Sequence, residues 1–307
     1  MKAVVYENYG SPEVLTIKDV EKPIPKKNEI LIKVKASSVS AGVLWVRNGK
    51  HPDSKFFTLM VRLMFGLKKP KNQILGYEFS GEIKSTGANV KAFKKGDKVF
   101  GTTTGLKQGS YAEYICIPEK WSEGVVAIMP SNLSFEEATA IPIGGMTALQ
   151  ILRKANIQSG QKVLIYGASG SVGTYAVQLA KAYEANVTGV CSTTNIDLLK
   201  SIGADNVIDY TKVDISKIDE KYDVIFDAVG KISKTICKKI ITKNGRYLSV
   251  KSITKEKQEY LTFLKELTKT NKIKPVIDKV YSIEDIVEAH KYVDKGHKKG
   301  NVIIKIC

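Results

Sequence analysis

The sequence predicts a two-domain α/β protein, in which a parallel sheet covered by helices accompanies a second, mostly antiparallel β domain. Its length of 307 residues exceeds the size at which a single hydrophobic core usually stops growing. The first third alternates short apolar runs with turn residues, whereas the chain from Lys162 alternates strands with helices. These two styles of patterning in one chain predict two domains.

The first third is typical of an antiparallel β domain because its apolar runs are short and separated by turn residues. The runs are KAVVYE, VLTIKDV, EILIKVKASSVS, ILGYEFSGEIKSTG and DKVFGTTT, and they end near Tyr114. Between them, residues 56–70 are densely apolar and predict a helix. We favour a core position for this helix over that of a lid, and its sequence shows no readable pocket chemistry.

The α/β part begins with a capping box, in which Ser134 precedes a helix and Glu137 follows three residues later. From Lys162 onward the alternation predicts a parallel sheet with helices on both faces. Its successive elements are KVLIYGAS, SVGTYAVQLAKAY, NVTGVC, NIDLLKSIG, NVIDY, YDVIFDAVG, SKTICKKIIT and GRYLSV. Residues 256–270 and SIEDIVEAHKYVDKG predict two further helices, and NVIIKI predicts a final strand.

Composition argues against several classes of protein. The four cysteines and three histidines are widely spaced, which indicates neither a disulfide framework nor a structural zinc site. The net charge of +17 comes from lysines scattered over the whole chain, with only four arginines, so we expect no nucleic-acid partner. No apolar run is long enough to span a membrane and the first residues resemble no targeting signal, so we expect no membrane partner and a cytoplasmic location.

A glycine-rich turn carries the strongest functional signal. An apolar strand runs into residues 167–173, which read Gly167, Ala168, Ser169, Gly170, Ser171, Val172 and Gly173, and a helix follows. Small residues let the backbone approach a pyrophosphate, and the free N–H groups of the helix N-terminus meet its charge. Because a second strand follows the helix, the pattern predicts a dinucleotide site rather than an empty tight turn.

The end of the second strand indicates which dinucleotide is bound. NAD-binding proteins usually carry an acidic residue there, and this chain instead has Ser192, Thr193, Thr194 and Asn195. Their hydroxyl and amide groups could donate hydrogen bonds to a 2′-phosphate. We therefore expect NADPH in preference to NADH, although the arginine that often binds this phosphate is missing.

These residues resemble the zinc-independent quinone oxidoreductase branch of the medium-chain dehydrogenase/reductases. The resemblance covers nearly the whole chain, from KAVVYENYGSPEVL through YGASGSVGTYAVQLAK and FDAVG to HKKGNVIIKI. It implies a GroES-like domain in residues 1–125, a Rossmann domain in residues 126–272, and a return of residues 273–307 to the GroES-like domain. It also implies hydride transfer in the cleft between the two domains.

The resemblance implies the site residues as well. Ser40 and Tyr77 are expected to act at the substrate, with Tyr77 donating a proton or hydrogen bond, unless Tyr77 is a buried tyrosine bonded to a backbone carbonyl. Thr147, Tyr210 and Val229 are expected to contact the cofactor. Zinc-dependent relatives have a cysteine and a His-Glu pair where this chain has Ser40 and Tyr77-Glu78, so we expect no zinc.

Without a Lewis acid, substrates that are already electrophilic suit the site best, so the expected substrate is a quinone or an α,β-unsaturated carbonyl compound. One alternative is an NADPH-dependent carbonyl or alcohol oxidoreductase, and another is a non-catalytic NADPH-binding protein that contacts RNA. The family usually has one more strand after GRYLSV, and this chain lacks it. We therefore expect a five-stranded parallel sheet, and a monomer or a dimer through another surface.

Overall fold

The computed structural model describes residues 1–50, 54–106 and 109–307. The chain divides into two compact units, one formed by Met1–Pro142 with Ile277–Cys307 and the other by Ile143–Val276. The first unit contains a mixed, mostly antiparallel sheet and the second a parallel sheet with helices. The predicted fold class is therefore confirmed.

The elements of the described residues follow in chain order. The strands are β1 (Lys2–Val5), β2 (Thr16–Asp19), β3 (Glu29–Ser38), β4 (Glu78–Thr86), β5 (Lys98–Thr102), β6 (Tyr114–Pro118), β7 (Val126–Ile128), β8 (Lys162–Tyr166), β9 (Asn186–Cys191), β10 (Asn206–Asp209), β11 (Tyr222–Asp227), β12 (Ile241–Ser249), β13 (Ile277–Ser282) and β14 (Asn301–Lys305). The helices are α1 (Ala41–Asn48), α2 (Lys55–Phe65), α3 (Phe135–Thr139), α4 (Pro142–Arg153), α5 (Ser171–Ala182), α6 (Ile196–Ser201), α7 (Lys234–Ile240), α8 (Gln258–Lys269) and α9 (Ile286–Asp294).

The first unit is organised around β3. Its larger sheet has the order β13-β14-β3-β4-β5-β7, and β6 also pairs with β3. All of these pairs are antiparallel except β13 with β14. Ile32 of β3 lies opposite both Ile83 and Ile115, and all three side chains are buried. Alternation of apolar side chains along β3 thus places one face of the sheet on the core.

The second unit has a five-stranded sheet of order β10-β9-β8-β11-β12, in which every pair is parallel. The expectation of five strands is confirmed. The central strand β8 buries the consecutive residues Val163, Leu164 and Ile165, because helices cover both faces of such a sheet.

The predicted capping box is present in the first unit. The Ser134 hydroxyl accepts from the Glu137 N–H, and the Glu137 carboxylate accepts from the Ser134 N–H.

Helix α5 follows the glycine-rich turn and packs on β8 and β9. Its residues 173–180 are buried without interruption. Gln178, on the polar side, bonds the backbone N–H and carbonyl of Lys274 through its amide at 2.7 and 3.0 Å. A neighbouring segment therefore covers the second side of the helix, which the sequence pattern does not reveal.

Helix α2 corrects the expectation for residues 56–70. The helix is present, but none of its residues is buried, so the core position we favoured is wrong. Only one side of the helix faces the protein, where Phe65 packs against the core of the first unit. The other side carries exposed Phe, Leu and Met side chains.

Candidate functional site

The glycine-rich turn joins β8 to α5 in the second unit. Gly167 has φ +76°, a backbone conformation that favours glycine, and a Cβ there would lie 2.6 Å from Cγ1 of Val229. A Cβ at Gly173 would lie 2.2 Å from the Gly167 carbonyl oxygen, so glycine lets the helix approach the strand. Gly170 caps α5 without a side-chain hydrogen bond, which leaves the helix N-terminus open to an anion.

Two neighbouring segments contact this turn. Val229 lies against Gly167, and the buried carboxylate of Asp227 holds its loop by accepting from the N–H groups of Val229 and Gly230 at 3.2 and 2.7 Å. On α4, the Gly144 backbone approaches the Ser171 hydroxyl so closely that a Cβ would lie 2.5 Å from it. Thr147 lies half-buried one turn further along α4. Val229 and Gly144 therefore contact the turn that the sequence predicted to bind phosphate.

Asn195 connects the turn to the end of β9. Its Nδ2 donates to the Ser169 hydroxyl at 3.1 Å and to the Ser192 hydroxyl at 3.2 Å. Its Oδ1 is buried and has no hydrogen-bond partner within the described ranges. An unpaired buried acceptor costs free energy unless a ligand satisfies it, and a ribose hydroxyl is a suitable donor. The residues present therefore fit a dinucleotide whose ribose lies beside Asn195.

Asp209 lies beside the predicted cofactor residues, and the sequence analysis did not single it out. It lies opposite Cys191 in the β9-β10 pairing and accepts a hydrogen bond from the Thr193 hydroxyl. Its other oxygen accepts from the Thr211 hydroxyl at 2.7 Å. Bonds from Thr193 and Thr211 lower the pKa of Asp209, so the group is ionised at neutral pH. A carboxylate thus lies at the end of β10, next to the end of β9, where we expected only hydrogen-bond donors. Its place directly before Tyr210 was the one signal in the sequence that could have identified it.

The remaining cofactor residues have different surroundings. Ser192 and Thr194 share a hydroxyl contact of 3.3 Å, and Tyr210 is about half exposed beside Asp209, with 51% of its surface accessible. Ala168 is buried and donates its N–H to the Val190 carbonyl at 3.0 Å. Val172 lies half-buried in the first turn of α5. The structure therefore brings most of the predicted residues to one end of the parallel sheet, while no hydrogen bond of the described residues joins Thr147 to the turn.

Tyr77 lies just before β4 in the first unit, half-buried against the core. Its hydroxyl forms no hydrogen bond in the part of the chain that the structure describes. Burial, followed by the proximity of Tyr9, raises its pKa well above the usual value for tyrosine. The phenol stays protonated and can donate, and the alternative of a tyrosine bonded to a backbone carbonyl finds no support among the described residues.

The side chains beside Tyr77 form a buried polar cluster. The Ser38 hydroxyl donates a hydrogen bond to the carboxylate of Glu78, and both residues are buried. The Glu78 carbonyl accepts from the Ser37 and Ser110 hydroxyls at 2.8 and 2.7 Å. Ser40, predicted to act with Tyr77, instead caps α1 and makes no side-chain cap bond. The structure pairs Ser38 with Glu78, whereas no hydrogen bond among the described residues joins Ser40 to Tyr77.

Lys298 is a second residue that the sequence analysis missed in the first unit. Its ammonium donates to the Gly300 carbonyl, and burial lowers its pKa to about 8, while the carboxylates of Glu78 and Asp278 oppose that shift. The Lys298 ammonium therefore loses its proton at a lower pH than an exposed lysine does. Its position in the HKKG turn before β14 carried no recognisable signal.

The donor set of the first unit does not fit a catalytic zinc ion. Such a site needs thiolate, imidazole or carboxylate ligands, and the matching positions carry the hydroxyls of Ser40 and Tyr77 with one carboxylate, Glu78. Among the described residues, no group of three His, Cys, Asp or Glu side chains is placed to hold a metal ion. His51 lies outside the described residues.

Comparisons with known proteins match both units. Residues 26–130 match the alcohol dehydrogenase GroES-like domain, and residues 202–304 match a family described as zinc-binding dehydrogenase. The chain is 34% identical to a 2-methylene-furan-3-one reductase of Solanum lycopersicum and 30% identical to a chloroplastic NADPH-dependent alkenal/one oxidoreductase of Arabidopsis thaliana. Each match covers 99% of this chain and 79% of the relative.

A solved structure shows the same fold over both units. The quinone oxidoreductase of Coxiella burnetii is 29% identical to this chain and superposes with a TM-score of 0.84. The match covers 100% of this chain and 99% of that structure. In the described part of this chain, no helix has the length and apolarity that crossing a membrane would require.

Proposed function

Because the chain belongs to the quinone oxidoreductase-like branch of the medium-chain dehydrogenase/reductases and is an NAD(P)H-dependent oxidoreductase, we propose that it reduces quinones or α,β-unsaturated carbonyl compounds with NADPH and without zinc. Two of the similar proteins are named for the reduction of such activated double bonds, and a third is named for quinones. These substrates share an oxygen that gains negative charge when the conjugated system accepts a hydride.

The observation that carries this proposal is the protonated, unshared hydroxyl of Tyr77. It forms no hydrogen bond with the described residues, and its raised pKa keeps the proton on the oxygen. A donor that needs no reorganisation stabilises an oxyanion best where water is scarce. Tyr77 therefore suits a substrate whose carbonyl oxygen becomes an enolate or a phenolate.

The other residues of the first unit support this role. Glu78 follows Tyr77 directly and is fixed through its carboxylate by Ser38 and through its carbonyl by Ser37 and Ser110. This network restricts the backbone that carries Tyr77, so the phenol can keep one orientation during the reaction. Lys298, whose proton is held less tightly than in water, provides a proton donor near the same carboxylate.

In the second unit, the glycine-rich turn and Asn195 hold the dinucleotide. The open N-terminus of α5 would bind the pyrophosphate, and Asn195 Oδ1 would accept from a ribose hydroxyl. When bound, the nicotinamide supplies the hydride. The β-carbon of an enone would accept this hydride, and Tyr77 would stabilise the negative charge left on the carbonyl oxygen. Lys298 or solvent would then give a proton to the α-carbon.

A substrate panel tests the proposal. Purified protein is assayed for NADPH oxidation with quinones, enones, saturated ketones, aldehydes and, in the reverse direction, alcohols. We expect turnover with quinones or enones and a far smaller kcat/KM with saturated carbonyl compounds, which lack conjugation. Turnover confined to alcohols and aldehydes would instead indicate a carbonyl reductase, and no turnover with any compound would contradict the proposed reaction.

A further inference from the structure

Helix α2 presents an outward face without a single polar side chain. At roughly 100° per residue, its exposed apolar residues fall within an arc of about 160°. They are Phe56, Phe57, Leu59, Met60, Leu63 and Met64, and Leu67 lies exposed just beyond the helix. Phe56 and Met64, at opposite ends of this apolar face, are 67% and 66% exposed. A contiguous exposed surface of this kind marks an interaction site rather than ordinary surface variation.

The opposite side of α2 is fixed to the first unit. The Ser54 hydroxyl caps the helix, and Phe65 packs against the core. The Arg62 guanidinium lies 4.0 Å from the ring centroid of Tyr9 and donates to the Gly49 carbonyl at 2.8 Å. These contacts account for the inward side of the helix, while the apolar face stays exposed.

The charged residues around the apolar face are mostly basic. Residues 54–77 contain five Lys or Arg residues and no acidic residue, and Lys68, Lys69 and Lys71 lie exposed directly after the helix. Glu7 is an acidic group near them, and its pKa is lowered chiefly by Lys18 and to a lesser extent by Lys69. The whole chain carries +17. A partner that binds here must therefore have an apolar interior for the helix face and negative charge at its surface for the lysines.

We propose that the apolar face of α2 docks the protein on an anionic lipid surface. The Phe, Leu and Met side chains would enter the boundary between headgroups and acyl chains, and the lysines after the helix would contact anionic headgroups. A second copy of this chain fits less well, because residues 54–77 of that copy offer no acidic residue to the lysines. The docking needs no spanning segment, since the helix lies in the plane of the surface.

Cosedimentation with vesicles tests the docking. The full chain is mixed with vesicles of phosphatidylcholine alone, or of phosphatidylcholine with phosphatidylglycerol. We expect binding to the anionic vesicles that weakens with salt, since each lysine near such a surface contributes about fivefold in affinity. A quadruple variant, Phe56→Ser with Phe57→Ser, Leu63→Ser and Met64→Ser, should lose binding at least tenfold. All four positions are exposed, so the variant should keep its fold.

Matched controls separate docking from general stickiness. Ile24→Ser with Ile253→Ser removes two highly exposed apolar residues elsewhere and should bind as the wild type does. Replacing Lys68, Lys69 and Lys71 by Glu should abolish binding, whereas the same change at Lys231, Lys234 and Lys238 alters the net charge equally and should weaken binding far less.

Two outcomes would overturn the proposal. The first is equal vesicle binding by the wild type and the α2 variant. The second is a wild-type dimer that binds no vesicles and becomes monomeric in the α2 variant, which would assign the apolar face to a second copy of this chain.

Discussion

Arg47 donates a hydrogen bond from its Nη1 to Nδ1 of His290 at 3.0 Å, and both side chains are almost completely buried. Because a guanidinium can only donate, Nδ1 accepts and the imidazole proton lies on Nε2, which faces the Tyr111 hydroxyl at 3.2 Å. Tyr111 in turn donates to the Ser38 carbonyl at 2.9 Å. Burial, followed by the charge of Arg47, lowers the pKa of His290 to about 3, so the imidazole stays neutral in the folded protein.

This pKa predicts an acid-sensitive fold. In the unfolded chain the imidazole binds a proton below a pH of about 6.5, whereas in the folded protein it does so only near pH 3. The neutral imidazole therefore makes its full contribution to the free energy of unfolding above a pH of about 6.5. As the pH is lowered toward 3, the free energy of unfolding decreases by up to about 1.4 kcal/mol per pH unit. Urea unfolding at several pH values should show this loss for the wild type and a smaller one for His290→Gln.

The exposed His297 provides the control, because His297→Gln should keep the pH dependence of the wild type. If His290→Gln does not fold, titration of the wild-type imidazole by NMR tests the same point. An imidazole of His290 that becomes protonated near pH 6 in the folded protein would contradict the prediction.

The hydroxyl-rich end of β9 predicts tighter binding of NADPH than of NADH. Ser192→Asp should reverse this preference, because a second carboxylate beside Asp209 would repel the 2′-phosphate and cost about tenfold in affinity. Isothermal titration with both cofactors measures the two dissociation constants. Ser201→Asp, on the exposed end of α6, introduces the same charge away from the turn and should leave both constants unchanged.

A substitution at Asp209 provides a second test of the preference between NADPH and NADH. Its ionised carboxylate opposes a 2′-phosphate, so Asp209→Asn should raise the affinity for NADPH while leaving NADH binding nearly unchanged. Equal dissociation constants for the two cofactors in the wild type would remove the basis for proposing NADPH.

The donor set at Ser40 and Tyr77 predicts activity without zinc. Turnover should survive dialysis against a strong chelator, and elemental analysis should find no stoichiometric zinc, because hydroxyl groups are poor ligands for this ion. Addition of zinc after chelation serves as the control and should not raise the rate. A tightly bound zinc ion whose removal abolishes turnover would overturn this prediction.

Tyr77→Phe should lower kcat toward an enone or a quinone by about tenfold or more, because it removes a donor to charge that develops in the transition state. NADPH binding should change little, and the thermal midpoint should stay close to that of the wild type. Tyr114→Phe removes a hydroxyl elsewhere in the first unit while keeping the ring beneath Lys22, and it should leave kcat unchanged. An unaltered kcat in Tyr77→Phe would leave the tyrosine with a packing role.

The edge strand β12 predicts a monomer, or a dimer that forms through another surface. Among the described residues, β12 pairs only with β11, and the outer strand that relatives usually carry is absent. Lys251, Lys255 and Lys257 follow this edge, and charged residues there oppose pairing with a second sheet. Sedimentation at micromolar concentration measures the state directly. A dimer with β12 paired across a two-fold axis would contradict the expectation.

Much of the fold was encoded in consecutive residues. The apolar strands β8 and β9, the glycine-rich turn between β8 and α5, and the Ser134 capping box each depend on side chains within a few positions of one another. Propensity, periodicity and turn chemistry act over this range. For that reason the sequence predicted the fold class and the position of the turn, whereas the expectation of five strands came from the resemblance to a family that usually has one more.

Tertiary structure alone decided three other features. The contact of Thr193 with Asp209 follows from the parallel register that sets Cys191 opposite Asp209, and the Ser38-Glu78 bond joins side chains 40 positions apart. The outward apolar face of α2 depends on which side of the helix meets the core. An apolar helix has the same sequence pattern whether or not a neighbour covers it, because burial is set by residues that are distant along the chain.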